Sequence, residues 1–196
     1  IYSYAFNEIE FLSHQKSKLE KRNVELFSLS YIDSLTGTCN RRLFDDFLAS
    51  NWRVSALSGK SLGMILIDID EFKEYNEFYG HRQGDVCLTR ICEMAREQMN
   101  ELGLDTLARY GGEEFAVIVS DISGNDLYAM AEKLRLAIEA GGIEHRSSST
   151  APVVTISLGC AVVVPSIDAD PETLIDAADV ALHQAKAEGR NRTAMK

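Results

Sequence analysis

Two short stretches of the sequence place carboxylates where they could do chemistry. Asp68 ends the apolar run GMILID and is followed by Asp70, while RYGGEEF sets Glu113 and Glu114 side by side after two glycines. If the strand that ends at Asp68 lies beside the second stretch, Asp68 and Glu113 can converge on one point. Such oxygen ligands suit Mg²⁺, which shares its other positions with water and substrate phosphates, as in phosphoryl transfer. A strand that simply ends in a solvated aspartate is the alternative.

Further polar residues could bind a nucleotide. An Asp that accepts from N1–H and the exocyclic amine of a base favours guanine over adenine. Lys186 and Arg190 are spaced i, i+4 across the end of the last predicted helix, so they would share one face and could hold phosphates. Compensation of the helix dipole by cations is the alternative for this pair. The polar residues that follow Asp68 are Lys73, Asn76, His81 and Asp85.

The apolar pattern predicts the elements that must position these residues. Residues 63–68 indicate a buried central strand, and Gly111-Gly112 indicates a tight hairpin turn because glycine tolerates positive φ. The order of elements predicts an α+β fold of ferredoxin-like type, with an antiparallel-rich central sheet and helices on one side. The other predicted elements are helices 71–79, 85–100 and 125–140, strands 105–110, 114–119 and 153–164, a loop at GHRQGD, and a last helix from Asp170-Pro171 to Glu188.

Residues 1–30 carry a heptad pattern that is typical of a coiled coil. We therefore expect an N-terminal stalk over 1–30 that brings two copies of the chain together, followed by a globular domain over 31–196. An amphipathic helix that folds against its own domain is the alternative. The heptad residues are Ala5, Leu12, Leu19 and Leu26 in one phase, and Tyr2, Ile9, Lys16 and Asn23 in the other.

The charge balance excludes several classes of partner. The chain has 20 Lys plus Arg and 30 Asp plus Glu, a formal net charge of -10. We expect no nucleic-acid partner and no direct membrane contact, because such a balance repels polyanions unless one face is basic. The four cysteines show no CxxC pairing and no zinc spacing, which indicates reduced thiols in a cytoplasmic protein. The chain begins at Ile1, and we expect it to be the cytoplasmic part of a larger sensor, which can itself be membrane-bound.

Four separated motifs together resemble one family. DSLTGTCNRRLF at 33–44, DIDEFKEYNEFYGHRQGD at 68–85, RYGGEEF at 109–115 and ADVALHQAKAEGRN at 178–191 resemble, in order and spacing, the GGDEF family of diguanylate cyclases. The resemblance covers residues 31–192. It implies a palm-type, nucleotidyl-cyclase-like domain that joins two GTP molecules into cyclic di-GMP and releases two pyrophosphates, with Mg²⁺ or Mn²⁺ as cofactor.

The resemblance also implies the metal and catalytic residues. Asp68, the backbone carbonyl of Ile69 and Glu113 would bind Mg²⁺, and Glu114 would assist. Glu113 is the family's candidate for deprotonating the attacking 3′-hydroxyl, although a metal-bound carboxylate is a poor base and metal assistance can be its main contribution. Lys73 would act beside Glu113 as the second catalytic residue.

The remaining implied roles concern GTP. Asn76 and Asp85 match the guanine-contacting positions, and His81 matches a substrate-contacting position. Phosphates would be approached by Phe72 and Lys73 and gripped by Lys186 and Arg190. One domain holds one GTP, so the resemblance implies a homodimer of half-sites under the control of an upstream sensory domain. A nucleotide lying over the hairpin tip would also explain its glycines, since a Cβ there would crowd it.

One departure from the family concerns product binding. Many members carry an inhibitory RxxD motif before the signature, but here the stretch reads LGLD, with Leu102 at the Arg position and Asp105 retained. We expect weak or absent product inhibition through this site, because the guanidinium is missing. Two alternative functions stay open: a non-catalytic GTP-binding regulatory module, and a cyclase with relaxed base choice.

Overall fold

A computed structural model describes residues 14–16, 18, 20–22, 27–102 and 106–196. No helix in these ranges has the length and apolar character needed to cross a membrane. After a helical segment at 27–31, the elements are β1 (Cys39–Asn40), α1 (Arg41–Ser58), β2 (Leu62–Ile69), α2 (Phe72–Tyr79), α3 (His81–Glu101), β3 (Leu107–Arg109), β4 (Glu114–Ser120), α4 (Gly124–Ala140), β5 (Ile156–Val163), α5 (Glu172–Ala187) and β6 (Thr193–Met195).

The predicted heptad pattern lies almost entirely outside the described residues. Of its positions only Lys16 is described; it is helical, and its Nζ lies 3.9 Å from Oε1 of Glu20. Closer to the domain, the side chains of Phe27 and Leu29 are exposed. The dimeric stalk and the domain boundary at residue 30 therefore stay predictions.

The strands form one mixed sheet in the order β1-β3-β4-β2-β5-β6. β2 pairs antiparallel with β4 on one side and with β5 on the other, and all eight of its residues are buried. The two outer pairs, β1 with β3 and β5 with β6, are parallel. The predicted α+β fold with an antiparallel-rich central sheet is confirmed.

The prediction of helices on one side of the sheet is wrong. Ile65 and Ile67 of β2 pack in a core with α3 and α4, whereas Met64 and Leu66 pack in a second core with α1 and α5. Because side chains alternate along a strand, an uninterrupted apolar run such as GMILID supplies both faces at once. Helix α1, which the sequence analysis did not predict, covers part of the second face.

Two other predictions change at the level of single elements. GHRQGD is not a loop: Gly80, at φ 84°, ends α2, and α3 begins immediately at His81. The strand predicted over 153–164 is shorter, because ladder pairing of β5 begins only at Ile156. The change at GHRQGD matters more for the site, since it places these residues on a helix beside α2.

Candidate active site

The end of β2 and the RYGGEEF stretch meet in the sheet. Asp68 is the Cα partner of Glu114 across the β2–β4 ladder, and of Ser157 across the β2–β5 ladder. One residue further, the backbone N–H of Ile69 donates to the carbonyl oxygen of Glu113 at 3.4 Å. The hairpin register therefore brings the two carboxylate stretches together at one end of the central strands.

Asp68 is buried, and its electrostatic surroundings are mixed. Burial raises the pKa of Asp68 to about 6, even though the Nζ of Lys186 lies 2.7 Å from its Oδ2 and acts to lower the pKa. The negative charges of Glu113 and Glu114 raise the pKa further. A second cation at this point would stabilise the ionised form of all three carboxylates.

The donor set fits a magnesium ion that binds together with its substrate. In the part of the chain that the structure describes, no group of three or more His, Cys, Asp or Glu side chains is arranged to hold a metal ion. Mg²⁺ commonly uses only one or two carboxylates and takes its other ligands from water and substrate phosphates. Asp68 and Glu113 supply that number of side chains, and Lys186 supplies the cation at Asp68 in this structure.

A cleft of 410 Å³ opens beside these carboxylates. The side chain of Lys73 is 80% exposed there, with its Nζ 3.8 Å from Oε1 of Glu77. Asp85 lies one turn beyond His81 on α3, is exposed, and is not part of the cleft wall. Five of the predicted site residues thus share one cavity, whose lining is Phe72, Lys73, Asn76, Glu77, His81 and Glu113.

Gly84 is a site residue that the sequence analysis missed. A Cβ added to this glycine would lie 1.8 Å from Oδ1 of Asn76 and 3.4 Å from the ring of Phe72. The glycine therefore lets the side chain of Asn76 pack against the first turn of α3, which directs it along the cleft. The sequence does show this glycine in GHRQGD, but a glycine in a predicted loop does not indicate close packing between two helices.

Glu71 precedes α2 in a left-handed conformation at φ 53°. Its carboxylate accepts from the Ser148 hydroxyl at 2.7 Å and from the backbone N–H of Ser149 at 2.7 Å, and its carbonyl oxygen lies 3.0 Å from Nε2 of the buried His145. Burial acts to raise the pKa of Glu71, but the bonds from Ser149, Ser148 and Thr150 lower it to about 2. The polar stretch HRSSST thus holds the start of the helix that lines the cleft.

The hairpin tip is held differently from the prediction. Neither Gly111 nor Gly112 has a positive φ, so the turn does not need that freedom. The guanidinium of Arg109 instead donates to the carbonyl of Gly112 through Nη2 at 2.7 Å and to Asp33 through Nη1 at 3.1 Å. Nothing lies within 4 Å of a Cβ built on Gly112, so room for a nucleotide there stays a prediction.

The prediction that Lys186 and Arg190 share one face of the last helix is also wrong. Helix α5 ends at Ala187, and Gly189, Arg190 and Asn191 follow at φ 116°, 63° and 45°. Lys186 occupies the last turn of the helix, whereas Arg190 lies in a left-handed turn beyond it. Helical periodicity therefore does not relate the two side chains.

The product-binding stretch is described only in part. Leu102 caps α3, and its backbone N–H donates to the carbonyl oxygens of Gln98 and Met99. Asp105 lies outside the described residues. The predicted lack of product inhibition through this site stays a prediction.

Comparisons with known proteins agree with this arrangement. Residues 30–192 match the family described as diguanylate cyclase, GGDEF domain. Response regulator PleD of Caulobacter vibrioides is 37% identical over 163 residues, which are 83% of this chain and 35% of that protein. Diguanylate cyclase VdcA of Vibrio cholerae is 34% identical over 188 residues, which are 95% of this chain and 53% of that protein. The chain thus spans about half or less of the length of these relatives.

Two solved structures show the same fold. The coiled coil and GGDEF domain of DgcB from Caulobacter crescentus, in complex with c-di-GMP, gives a TM-score of 0.79 at 26% identity and covers 94% of this chain and 97% of that chain. The active GGEEF domain of a diguanylate cyclase from Vibrio cholerae gives a TM-score of 0.67 at 26% identity, covering 80% of this chain and 96% of that chain. Together with the family match over 30–192, these similarities show that the chain belongs to the GGDEF-domain family of diguanylate cyclases.

Proposed function

We propose that this chain is a Mg²⁺-dependent diguanylate cyclase that condenses two GTP molecules into cyclic di-GMP and two pyrophosphates. The observation that carries the proposal is the register that sets Asp68 of β2 opposite Glu114 of β4. This register brings Asp68, Glu113 and Glu114 to the same end of the central strands, and Glu113 lines a 410 Å³ cleft there. Family membership supports the same chemistry.

The metal would be held at the end of β2. Asp68, the carbonyl of Ile69 and Glu113 would bind Mg²⁺, or Mn²⁺ in its place, with Glu114 assisting, and the bound ion would polarise phosphate oxygens and the attacking hydroxyl. Glu113 lines the cleft, where its carboxylate would orient the 3′-hydroxyl and take up its proton. The hydroxyl oxygen then bonds to the α-phosphorus of the other GTP, and pyrophosphate leaves with the electrons of the broken bond.

The nucleotide would lie along α2 and the start of α3. Asn76 would contact guanine from the cleft wall, with His81 beside it and Asp85 one helical turn further. Phosphates would be contacted by the backbone at Phe72 and by Lys73, whose side chain is 80% exposed and can reach them. Lys186 and Arg190 would grip the outer phosphates with charge-assisted hydrogen bonds.

One chain offers one such cleft among its described residues, and cyclic di-GMP needs two nucleotides whose hydroxyls attack each other. The active unit would therefore be a homodimer of facing half-sites, related by a two-fold axis. The curated relatives are longer than this chain, which supports a further sensory domain in the full-length protein. The stalk over 1–30 would transmit its signal to a cytoplasmic catalytic domain over 31–196.

The proposal is tested by incubating the purified chain with GTP and Mg²⁺ and resolving the nucleotides by chromatography. We expect cyclic di-GMP and pyrophosphate from the wild type, and loss of both with Glu113→Ala. Omitting the metal should give the same loss. GTP that stays unchanged at high chain concentration, with dimerisation enforced by a fused coiled coil, would overturn the cyclase assignment.

Two observations favour the two alternative functions, the regulatory module and the cyclase with relaxed base choice, and each predicts a different result in this assay. The ammonium of Lys186 lies 2.7 Å from Asp68, which suits a regulatory module that binds GTP without turnover; saturable GTP binding without product would support it. Asp85 is not part of the cleft wall, which suits relaxed base choice. Dinucleotides that contain adenine, formed from a mixture of GTP and ATP, would support that alternative.

A further inference from the structure

Asp70 is almost completely buried, at 2% exposure, yet the proposed chemistry does not use it. Its Oδ1 accepts from the hydroxyl of Ser157 at 2.6 Å. Its Oδ2 accepts from the hydroxyl of Thr155 at 2.7 Å and from the backbone N–H of Asn191 at 3.0 Å. The first two bonds tie the residue that follows β2 to β5 and to Thr155 just before it, but the third reaches a turn 121 positions further along the chain.

That turn carries Arg190 in an unusual backbone conformation. Arg190 and Asn191 have φ of 63° and 45°, in the left-handed region that non-glycine residues rarely adopt unless the surroundings hold them there. The backbone N–H of Arg190 donates to the carbonyl of Ala185 at 3.1 Å, which fixes the peptide before it. The peptide after it is held by Asp70 at its N–H and by Nε of Arg192, at 3.1 Å, at its carbonyl.

The side chain of Asn191 is anchored as well. Its Oδ1 accepts from Nη1 of Arg135 at 2.8 Å, and its Nδ2 donates to Oε1 of Glu139 at 2.9 Å. Both partners belong to α4, on the face of the sheet opposite α5. Asn191 is therefore held from two directions, and the bond to Asp70 ties it to the residue that directly follows β2, the strand that carries Asp68.

We propose that Asp70 is a positioning residue: by fixing the Arg190–Asn191 peptide, it aims the Arg190 guanidinium at the substrate phosphates. This inference rests on the proposed function, which places the phosphates between Lys186 and Arg190. Asp68 and Asp70 then have separate tasks two residues apart. The first faces the metal, and the second sets the phosphate-gripping turn relative to that metal.

The test compares Asp70→Ala with a matched control, Ser157→Ala. Ser157 donates only to Oδ1 of Asp70. Its removal therefore leaves in place the two bonds that Oδ2 accepts from Thr155 and Asn191. Calorimetry with Mg²⁺ and a non-hydrolysable GTP analogue measures triphosphate binding, and GMP measures binding without the β- and γ-phosphates. We expect Asp70→Ala to weaken the analogue about tenfold, the scale of one lost charge-assisted contact, with GMP binding unchanged. Ser157→Ala should weaken the analogue clearly less than Asp70→Ala does, because both bonds to Oδ2 remain.

A double-mutant cycle separates positioning from general stability. In an Arg190→Ala background, Asp70→Ala should cause no further loss of analogue affinity, because the side chain that Asp70 aims is already gone. An equal loss in both backgrounds, or analogue binding by Asp70→Ala equal to that of the wild type, would overturn the inference. If Asp70→Ala does not fold, Asp70→Asn takes its place with a smaller expected loss, again only where Arg190 is present.

Hydrogen exchange at the Asn191 amide gives a readout that needs no nucleotide. It should be slow in the wild type and in Ser157→Ala and clearly faster in the Asp70 variants; equal exchange in all of them would overturn the inference. A failure of the cyclase proposal can be distinguished from a failure of this inference. A wild type that binds the analogue but makes no product contradicts the cyclase assignment, while the affinity cycle still decides the role of Asp70.

Discussion

At the scale of single residues, the pair of Asp68 and Lys186 has the most direct consequence. The Nζ of Lys186 and a magnesium ion would compete for the same oxygen, since the ammonium lies 2.7 Å from Oδ2 of the buried carboxylate. In the proposed complex Lys186 must turn to the phosphates. Removing the ammonium should therefore strengthen the binding of the metal alone and weaken the binding of the nucleotide with its metal.

We expect Lys186→Met to bind Mg²⁺ severalfold more tightly than the wild type without nucleotide at pH 8, and to bind the GTP analogue about tenfold more weakly. Titration calorimetry measures both affinities. Lys133→Met, which removes an exposed lysine on α4, serves as the control and should change neither. Unaltered or weaker metal binding by Lys186→Met would show that the two cations do not compete.

Gly84 gives a second prediction at this scale: one substitution should raise the stability of the helix and lower the affinity for GMP. In the first turns of α3, Gly84→Ala should favour the helix by up to about 1 kcal/mol, because glycine is a poor helix former. The new Cβ would collide with Oδ1 of Asn76 at 1.8 Å and displace it, so GMP binding should fall severalfold. Urea unfolding and GMP calorimetry measure the two effects, with Val86→Ala, an exposed position on α3, as control. Unchanged GMP affinity would exclude Asn76 as a base contact held by Gly84.

At the scale of elements, the signature hairpin is braced to the loop that follows the N-terminal helix. Arg109 bonds both the Gly112 carbonyl and Asp33, whose carboxylate also accepts from the N–H and hydroxyl of Thr36 at 2.9 and 2.7 Å. Burial acts to raise the pKa of Asp33, but the bonds from Thr36 and then Arg109 lower it below its usual value. A carboxylate with a lowered pKa contributes stability above the pKa of the unfolded chain and loses it as the pH falls through the folded value.

Asp33→Asn should therefore lower the free energy of unfolding by about 1–2 kcal/mol at pH 7, the scale of a hydrogen bond to a charged group. The difference from the wild type should be full above the pKa of an unfolded aspartate, about 3.9, and should shrink as the pH falls below it and through the lower pKa of the folded Asp33. Urea unfolding across this range measures it. Asp46→Asn, the same change at an exposed position of α1, should show no such dependence, and a constant difference for Asp33→Asn would contradict the ionic brace.

Elements with a strong local pattern could be predicted from the sequence, and those defined by their neighbours could not. The apolar run GMILID identified β2, but not that its two faces serve separate cores, because periodicity cannot distinguish one buried face from two. The sequence predicts a loop at GHRQGD, whereas Gly84 lies inside α3, where the absence of a Cβ leaves room for Asn76. Tertiary contact overrode local propensity there.

The site divides in the same way. Motif resemblance led to Asp68, Glu113 and the residues of the cleft, and the structure brings several of these together. The long-range bonds that hold them were not predicted. Asp70 and Arg109 form bonds that span 121 and 76 positions of the chain, and no local pattern encodes such pairs.

At the scale of the whole molecule, the cleft of one chain is half of the proposed reaction centre. In the proposed mechanism, a chain that supplies Glu113 to activate one hydroxyl would not activate the second, because that hydroxyl would belong to the nucleotide of the partner. Both half-sites would then have to be intact for the ring to close. We expect a dimer with one damaged half-site to form one phosphodiester bond and stop at a linear dinucleotide.

Mixing wild-type chains with Glu113→Ala chains at constant total concentration tests this dependence. If subunits exchange freely, an equal mixture should make cyclic di-GMP at about one quarter of the wild-type rate, since that fraction of dimers holds two intact half-sites. The linear dinucleotide should accumulate alongside. An inactive bystander, such as bovine serum albumin in place of the Glu113→Ala chains, controls for dilution. A rate that falls only to about one half in the mixture, without the linear species, would mean that each chain completes both bonds alone and would exclude the dimer of half-sites.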